Sequence, residues 1–154
     1  MTPHHTPPAP DTPAVTVEAI MSHPLVTVTP EAQLWEARAM MTAHHVHHLL
    51  VADRGRIVAI ISDRDIAYRV SLYASGPTAS RHEAAALHRR VHQAATFRLV
   101  TIRDDASVEE ATALILDREI SALPVVDEQG QVIGIVTSRD LLRGLLSCVL
   151  PAAA

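Results

Sequence analysis

The chain has 154 residues, of which 48% are hydrophobic, and a formal net charge of −4 at pH 7 from 13 basic and 17 acidic side chains. This apolar content can supply a core and argues against a disordered chain. The acidic excess and the low aromatic content of 3% argue against a nucleic-acid partner, because neither a basic field nor a stacking platform can be built.

The sequence favours a cytoplasmic protein without a membrane partner. Its first residues lack the basic start and apolar run of a secretory signal, and no stretch reaches the roughly 18 apolar residues of a membrane span. Cys148 is the only cysteine, so one chain cannot form an internal disulfide or a cysteine-based zinc site. This fits a reducing compartment.

In chain order, residues 1–14 form a Pro- and His-rich segment that we predict to be a disordered tail. One sequence unit then occurs twice: LVTVTPEAQLWEARAMM, beginning at Leu25, matches LVTIRDDASVEEATALI, beginning at Leu99. The offset of 74 becomes 75 after a turn that is one residue longer in the second copy. We therefore predict a first repeat at 15–74, a linker helix within 75–92 and a second repeat at 93–150.

Each unit shows the same order of predicted elements. A short strand, Val26–Val28 or Val100–Ile102, precedes a helix that opens after Thr29-Pro30-Glu31 or after Asp104-Asp105-Ala106-Ser107 and carries apolar residues at helical spacing. Two strands rich in β-branched residues follow, joined by a turn that contains Asp and Gly. A final helix completes each unit. The fold class is therefore α/β, of the α+β type, with two β-α-β-β-α repeats.

The segments HVHHLLVADRGRIVAIISDRDI and SALPVVDEQGQVIGIVTSRDLL resemble consecutive CBS repeats. The most diagnostic motif, Gly-hydrophobic-hydrophobic-Ser/Thr-x-x-Asp, is complete from Gly134 to Asp140, and the copy from Ala59 to Asp65 departs only at Ala59. The resemblance implies a Bateman module, in which two repeats related by a pseudo-twofold axis enclose two clefts. It further implies a regulatory protein, not an enzyme, that binds an adenosine nucleotide such as AMP, ADP or ATP and signals by conformational change.

The residues of the motif suit that ligand. A carboxylate in the first turn of a helix can accept both ribose hydroxyls, while a hydroxyl and the free amides of the helix can address a phosphate. The resemblance implies that each cleft is built across the pair. The expected ligand-binding residues are Ile60, Ser62, Arg64 and Asp65 facing Val100, Ile120 and Ser121, and Ile135, Thr137, Arg139 and Asp140 facing Val26, Val46, His47 and His48.

The two clefts are expected to differ. His47 and His48 are basic, whereas their counterparts Ser121 and Ala122 carry no charge, so affinity or ligand should differ between the clefts. We expect no cofactor other than the regulatory nucleotide, and no metal. Leu141, Leu142, Leu145 and Leu146 predict an exposed apolar helix face and a homodimer, with a regulated protein reached in trans.

Three alternatives remain open from the residues alone. Asp65 and Asp140 could serve only as helix caps. The chain could be a structural or interaction dimer that binds no ligand. The run His44-His45-Val46-His47-His48 could bind a metal ion, although its last residues enter a strand and lose the helical spacing.

Overall fold

The computed structural model describes residues 15–72 and 79–149, with the side chains of 79 and 147–149 left undescribed. The predicted tail at 1–14 lies outside the described residues. The first half contains α1 (Val17–Ile20), β1 (Thr27–Val28), α2 (Leu34–His44), β2 (His48–Asp53), β3 (Arg56–Ser62) and α3 (Asp63–Ser71). A connecting segment holds α4 (Ala79–Leu87) and a 3₁₀ turn (Val91–Gln93). The second half contains β4 (Ile102–Arg103), α5 (Val108–Arg118), β5 (Ala122–Val126), β6 (Val132–Thr137) and α6 (Ser138–Val149).

Each half contains one three-stranded sheet, which confirms the predicted β-α-β-β-α order. β1 runs parallel to β2, and β2 runs antiparallel to β3; β4, β5 and β6 repeat this arrangement. The first hairpin turns through Arg54 and Gly55, both with positive φ (48° and 78°), as a two-residue turn with matching twist requires. The longer second turn also places a glycine, Gly130, at φ 78°. The extra residue of the second repeat therefore lies in a surface turn.

Three elements have boundaries that differ from prediction. β1 and β4 are only two residues long because each pairs with two residues of its neighbour, so β1 begins at Thr27 and β4 covers Ile102–Arg103. α2 begins after Gln33 instead of after Glu31, because Gln33 and Glu36 form a reciprocal cap in which the Gln33 amide donates to Glu36 Oε2 at 2.6 Å. α5 is capped by Ser107, within the segment predicted for its start.

The opening segment of each repeat packs on the other half. Val17 is fully buried in the core of the second half, and Val91 is fully buried in the core of the first. The extended residues near them form matching bridges. Ser22 exchanges two backbone hydrogen bonds with Ile135 (2.8 and 3.2 Å), and Thr96 exchanges two with Ile60 (2.8 and 3.0 Å). The two halves are therefore interlocked in a pseudo-symmetric way, while the predicted repeat boundaries stay a prediction.

The apolar face predicted for α6 is only half exposed. Leu141 is 3% exposed and packs in the second core with the partly buried Leu145, whereas Leu142 and Leu146 are 62% and 57% exposed. The sequence prediction of four exposed leucines is therefore wrong for Leu141 and Leu145, because these two lie on the helix face that covers the sheet. None of the helices in the described part of the chain has the length and apolar character needed to cross a bilayer.

Candidate functional site

The candidate site is built on the first turns of α3 and α6. The Asp65 Oδ2 atom accepts hydrogen bonds from the backbone amide and the hydroxyl of Ser62, both at 2.7 Å. The Asp140 Oδ2 atom accepts the same two bonds from Thr137, at 2.9 and 2.7 Å. Both aspartates therefore do act as helix caps. Within the described residues, no hydrogen bond reaches Oδ1 of either aspartate.

Asp65 lines the smaller of two cavities between the halves, which has a volume of about 320 Å³. The neighbouring residues of the motif, from Ile60 at the end of β3 into α3, form one wall, and the other half forms the opposite wall. Seven of the expected residues meet here: Ile60, Ser62, Arg64, Asp65, Val100, Ile120 and Ser121. His48 lines this cavity as well.

Asp140 lines the larger cavity, which has a volume of about 520 Å³. Its walls come from the end of β6 and the start of α6 on one side, and from the segment between α2 and β2 on the other. Seven of the expected residues meet here: Ile135, Thr137, Arg139, Asp140, Val46, His47 and His48. Each aspartate therefore lines a cavity together with residues of the opposite repeat, as expected.

Val26 is the exception among the expected site residues, since it lines neither cavity. Its side chain packs against the first core instead. Its carbonyl accepts a hydrogen bond from the Leu50 amide at 3.3 Å, which ties this residue to the adjacent strand β2. The equivalent Val100 both contacts the second core and lines the smaller cavity. Repeat symmetry therefore fails at this position.

His48, Arg64 and Ser121 line both cavities and form the wall between them. Nε2 of His48 and Oγ of Ser121 share a hydrogen bond of 2.9 Å that joins the two halves. Burial lowers the pKa of His48 from its usual value, outweighing the raising effect of the Asp63 and Asp65 carboxylates. His48 is therefore held as a neutral, hydrogen-bonded imidazole between the cavities.

His47 lies in the larger cavity with a carboxylate partner of its own. Its Nδ1 is 2.8 Å from Oδ2 of Asp63, and both side chains are largely exposed. The backbone of the same two residues is joined as well, because the Asp63 amide donates to the His47 carbonyl at 3.0 Å. A phosphate that approached His47 would have to compete with Asp63. The imidazole of His47 is therefore already paired with a carboxylate at the wall of the larger cavity.

Sequence reasoning missed several residues that line the cavities. Arg98 and Glu119 add one positive and one negative charge to the smaller cavity, while His45 and Arg143 line the larger one. Two signals were available in the sequence. Arg143 lies one helical turn after Asp140, and the repeat offset pairs His45 with Glu119.

No group of three or more His, Cys, Asp or Glu side chains within 15–72 and 79–149 is arranged to hold a metal ion. The predicted interruption of the histidine run is visible in the backbone. α2 ends at His44, the next residue has a left-handed conformation (φ 53°), and β2 begins at His48. The run therefore has no common helical face.

A family model for the CBS domain matches two segments of the chain, 17–72 and 91–147. The chain belongs to the CBS domain family and contains two copies of the domain. It is 34% identical over 139 residues to a CBS domain-containing protein of Dictyostelium discoideum, with 89% of this chain and 95% of the relative covered. Other curated relatives are longer: the chain spans 25% of human 5′-AMP-activated protein kinase subunit gamma-3, to which it is 29% identical over 125 residues, 78% of this chain.

Among solved structures, the fold is similar to the CBS domain pair of protein MJ0100 in complex with 5′-methylthioadenosine and S-adenosyl-L-methionine. The TM-score is 0.72 at 27% identity, and the match covers 90% of this chain and 100% of that chain. The mixed α/β architecture with two three-stranded sheets is thus that of a CBS domain pair.

Proposed function

We propose that this chain is a regulatory module that binds an adenosine nucleotide of the AMP, ADP or ATP type in the cavities between its two CBS repeats. The observation that carries the proposal is the equivalent placement of Asp65 and Asp140. Each lies in the first turn of a helix, and each lines a cavity whose opposite wall belongs to the other repeat. The adenosine compounds bound by the CBS pair of MJ0100 support the ligand class.

The hydrogen bonds of the two caps support a division of roles within each cavity. The hydroxyls of Ser62 and Thr137 already donate their single hydrogen to Oδ2 of the neighbouring aspartate. They can therefore accept a hydrogen bond from a ribose hydroxyl, but they cannot also donate one to a phosphate. Oδ1 of each aspartate is the second ribose acceptor. Phosphate is left to Arg64 and Arg139, because the amides on either side of them in the first turns already donate hydrogen bonds within the protein.

Regulation follows from where the cavities lie. A ligand that touches both repeats binds only one of their relative orientations well, so occupancy shifts the population toward that orientation. A partner protein that contacts both repeats can read this shift. The proposed activity is therefore binding without turnover, in a cytoplasmic protein that acts on a target in trans.

A thermal and chemical unfolding experiment tests the proposal. AMP, ADP or ATP at about a hundred times its dissociation constant should raise the free energy of unfolding by about 2.7 kcal/mol. Asp140→Ala should abolish the part of this gain that arises in the larger cavity. If none of the three nucleotides changes the transition of the wild-type chain, the module binds no such ligand and functions as an interaction protein.

The chain offers a matched control for Asp140→Ala. Ser107 and Glu110 form the same reciprocal cap at the start of α5, with bonds of 2.8 and 3.1 Å, and line neither cavity. Glu110→Ala should cost about 1 kcal/mol of stability, as the loss of a cap does, and leave the nucleotide effect unchanged. Equal losses of the nucleotide effect in both variants would show that Asp140 acts only as a helix cap.

We also propose that the module is a homodimer through α6. Leu142 and Leu146 lie one turn apart on this helix and are 62% and 57% exposed, which leaves an apolar strip that a second copy could bury. Sedimentation should give a dimer for the wild type and a monomer for the variant Leu142→Lys/Leu146→Lys. Leu116→Lys changes a 73% exposed leucine on α5 and should leave the dimer intact.

A further inference from the structure

The walls of the two cavities differ in charge. The larger cavity brings three arginines together with two carboxylates, and it is lined by His45 and His47 in addition to His48, which both cavities share. The smaller cavity balances two arginines with two carboxylates, and its one histidine is His48, whose pKa is lowered by burial. The larger cavity therefore attracts anions, whereas the positive and negative charges of the smaller cavity cancel.

The difference arises at structurally equivalent positions. His45 directly follows α2, and Glu119 directly follows α5. Both residues have a left-handed backbone conformation (φ 53° and 51°). His45 lines the larger cavity and Glu119 lines the smaller one. An acid thus stands in one cavity where a base stands in the other. A carboxylate at this position repels a phosphate group that the imidazolium form of histidine would attract.

Arg64 makes the two cavities dependent on each other, because it lines both. Its one positive charge cannot fully balance a phosphate in each cavity at the same time. In the larger cavity Arg139 helps to bind a phosphate-bearing ligand. That ligand then attracts Arg64 toward the larger cavity. The smaller cavity then retains Arg98 against Asp65 and Glu119, which is an excess of negative charge.

We propose that the two cavities take adenosine ligands of different charge: the larger takes a nucleotide that carries phosphate, and the smaller takes an adenosine compound without phosphate. His45 and Glu119 set this selectivity, and Arg64 opposes the binding of two nucleotides at once. The inference rests on the proposed function, which it deepens by assigning a ligand class to each cavity.

Isothermal titration of the full chain with ATP and with uncharged 5′-methylthioadenosine tests the assignment. We expect one ATP per chain, with any second ATP bound at least tenfold more weakly, and undiminished binding of 5′-methylthioadenosine when ATP is saturating. Asp140→Asn should weaken ATP alone, and Asp65→Asn should weaken 5′-methylthioadenosine alone. Raising NaCl from about 50 to 500 mM should weaken ATP binding while leaving 5′-methylthioadenosine nearly unaffected, because salt screens charge.

Exchanging the charge at one position gives the sharpest variant. Glu119→His should strengthen the second ATP at least fivefold, and His45→Glu should weaken the first by a similar factor. Histidine tolerates left-handed backbone and already occupies it at His45, so Glu119→His should fold. Glu109→His, on the same helix α5 but outside both cavities, is the matched control and should leave both affinities unchanged.

Three results would overturn the assignment: two ATP sites of equal affinity, competition between ATP and 5′-methylthioadenosine for one cavity, or no response of the second ATP to Glu119→His. In each of these cases a bound adenosine compound would still support the proposed function. Failure of the wild-type chain to bind either probe would instead contradict the proposed function itself. One set of titrations therefore distinguishes a wrong assignment of ligands to the two cavities from a wrong proposed function.

Discussion

The two repeats differ most informatively where the opening segment of each crosses the last strand of the other. In the second half, Gly134 lies under Met21, and a methyl group added at Gly134 would overlap Sδ of that side chain. In the first half the equivalent residues are Ala59, which is fully buried, and Ala95, which packs against the same core. The second half thus combines a glycine on the strand with a methionine on the crossing segment, whereas the first half has alanine at both positions.

Ala59 is the one departure of the first motif copy from the family pattern. The backbone of Ala59 pairs with β2 as that of Gly134 pairs with β5, and the residue equivalent to Met21 in the first core is the smaller Ala95. The departure is therefore explained by packing between the halves, and it carries no information on whether the smaller cavity binds a ligand.

The largest effect is expected from Gly134→Ala. This change introduces the alanine that the first half has at the equivalent strand position, but it leaves the large Met21 in place on the crossing segment. The overlap with Met21 should lower the free energy of unfolding by about 1–3 kcal/mol, the usual cost of overpacking. Adding Met21→Ala should recover part of this loss, so that the two changes are non-additive. Urea unfolding of the two single variants and the double variant measures the coupling. Strict additivity would mean that the two residues are not matched.

Much of the fold could be predicted from the residues. The constant offset between the copies predicted two β-α-β-β-α units, and turn residues such as Gly55 and Gly130 placed both hairpins. The interlocking of the halves could not be predicted, because local periodicity does not show which sheet an extended segment such as that around Ser22 will cross. Only the tertiary hydrogen bonds with Ile135 reveal it.

For the candidate site, the motif residues were predicted well and their surroundings were not. Asp65 and Asp140 each line a cavity with most of the expected residues because the motif fixes both the strand end and the helix start. Val26 was misplaced because a residue beside a very short strand can turn toward either the core or the cavity. Arg98 and Glu119 were missed because no local motif marks them, although the repeat offset could have paired Glu119 with His45.

A smaller effect should appear at His48, where the first repeat has an ionisable group and the second has the buried Ala122. Because burial lowers the pKa of His48 in the folded chain from its usual 6.5, the unfolded chain binds the proton more readily. The contribution to stability is therefore complete above about pH 6.5 and is lost as the pH falls below that value. Asp63, Arg64, Asp65 and His47 are the charged or titratable neighbours that modulate it.

Unfolding by urea between pH 7.5 and 5.5 measures this effect. Wild type should lose more stability over this range than His48→Gln, whose amide can keep the hydrogen bond to Ser121 without taking up a proton. His44→Gln, which changes an exposed histidine at the end of α2, is the control and should follow the wild-type profile. A His48→Gln profile as steep as that of the wild type would show that His48 is not the residue that resists protonation.

The most direct test of the central claim is an NMR titration of the labelled chain with ATP, in which backbone amide shifts report where the nucleotide binds. The account predicts saturable shifts at Thr137–Asp140, at the start of α6, together with His47 and His48 from the opposite repeat, and no comparable shifts at Ser107–Glu110, the matched cap on α5. Absence of saturable shifts at the starts of both α3 and α6, or equal shifts at the α5 cap, would contradict the claim that the cavities between the repeats bind adenosine nucleotides.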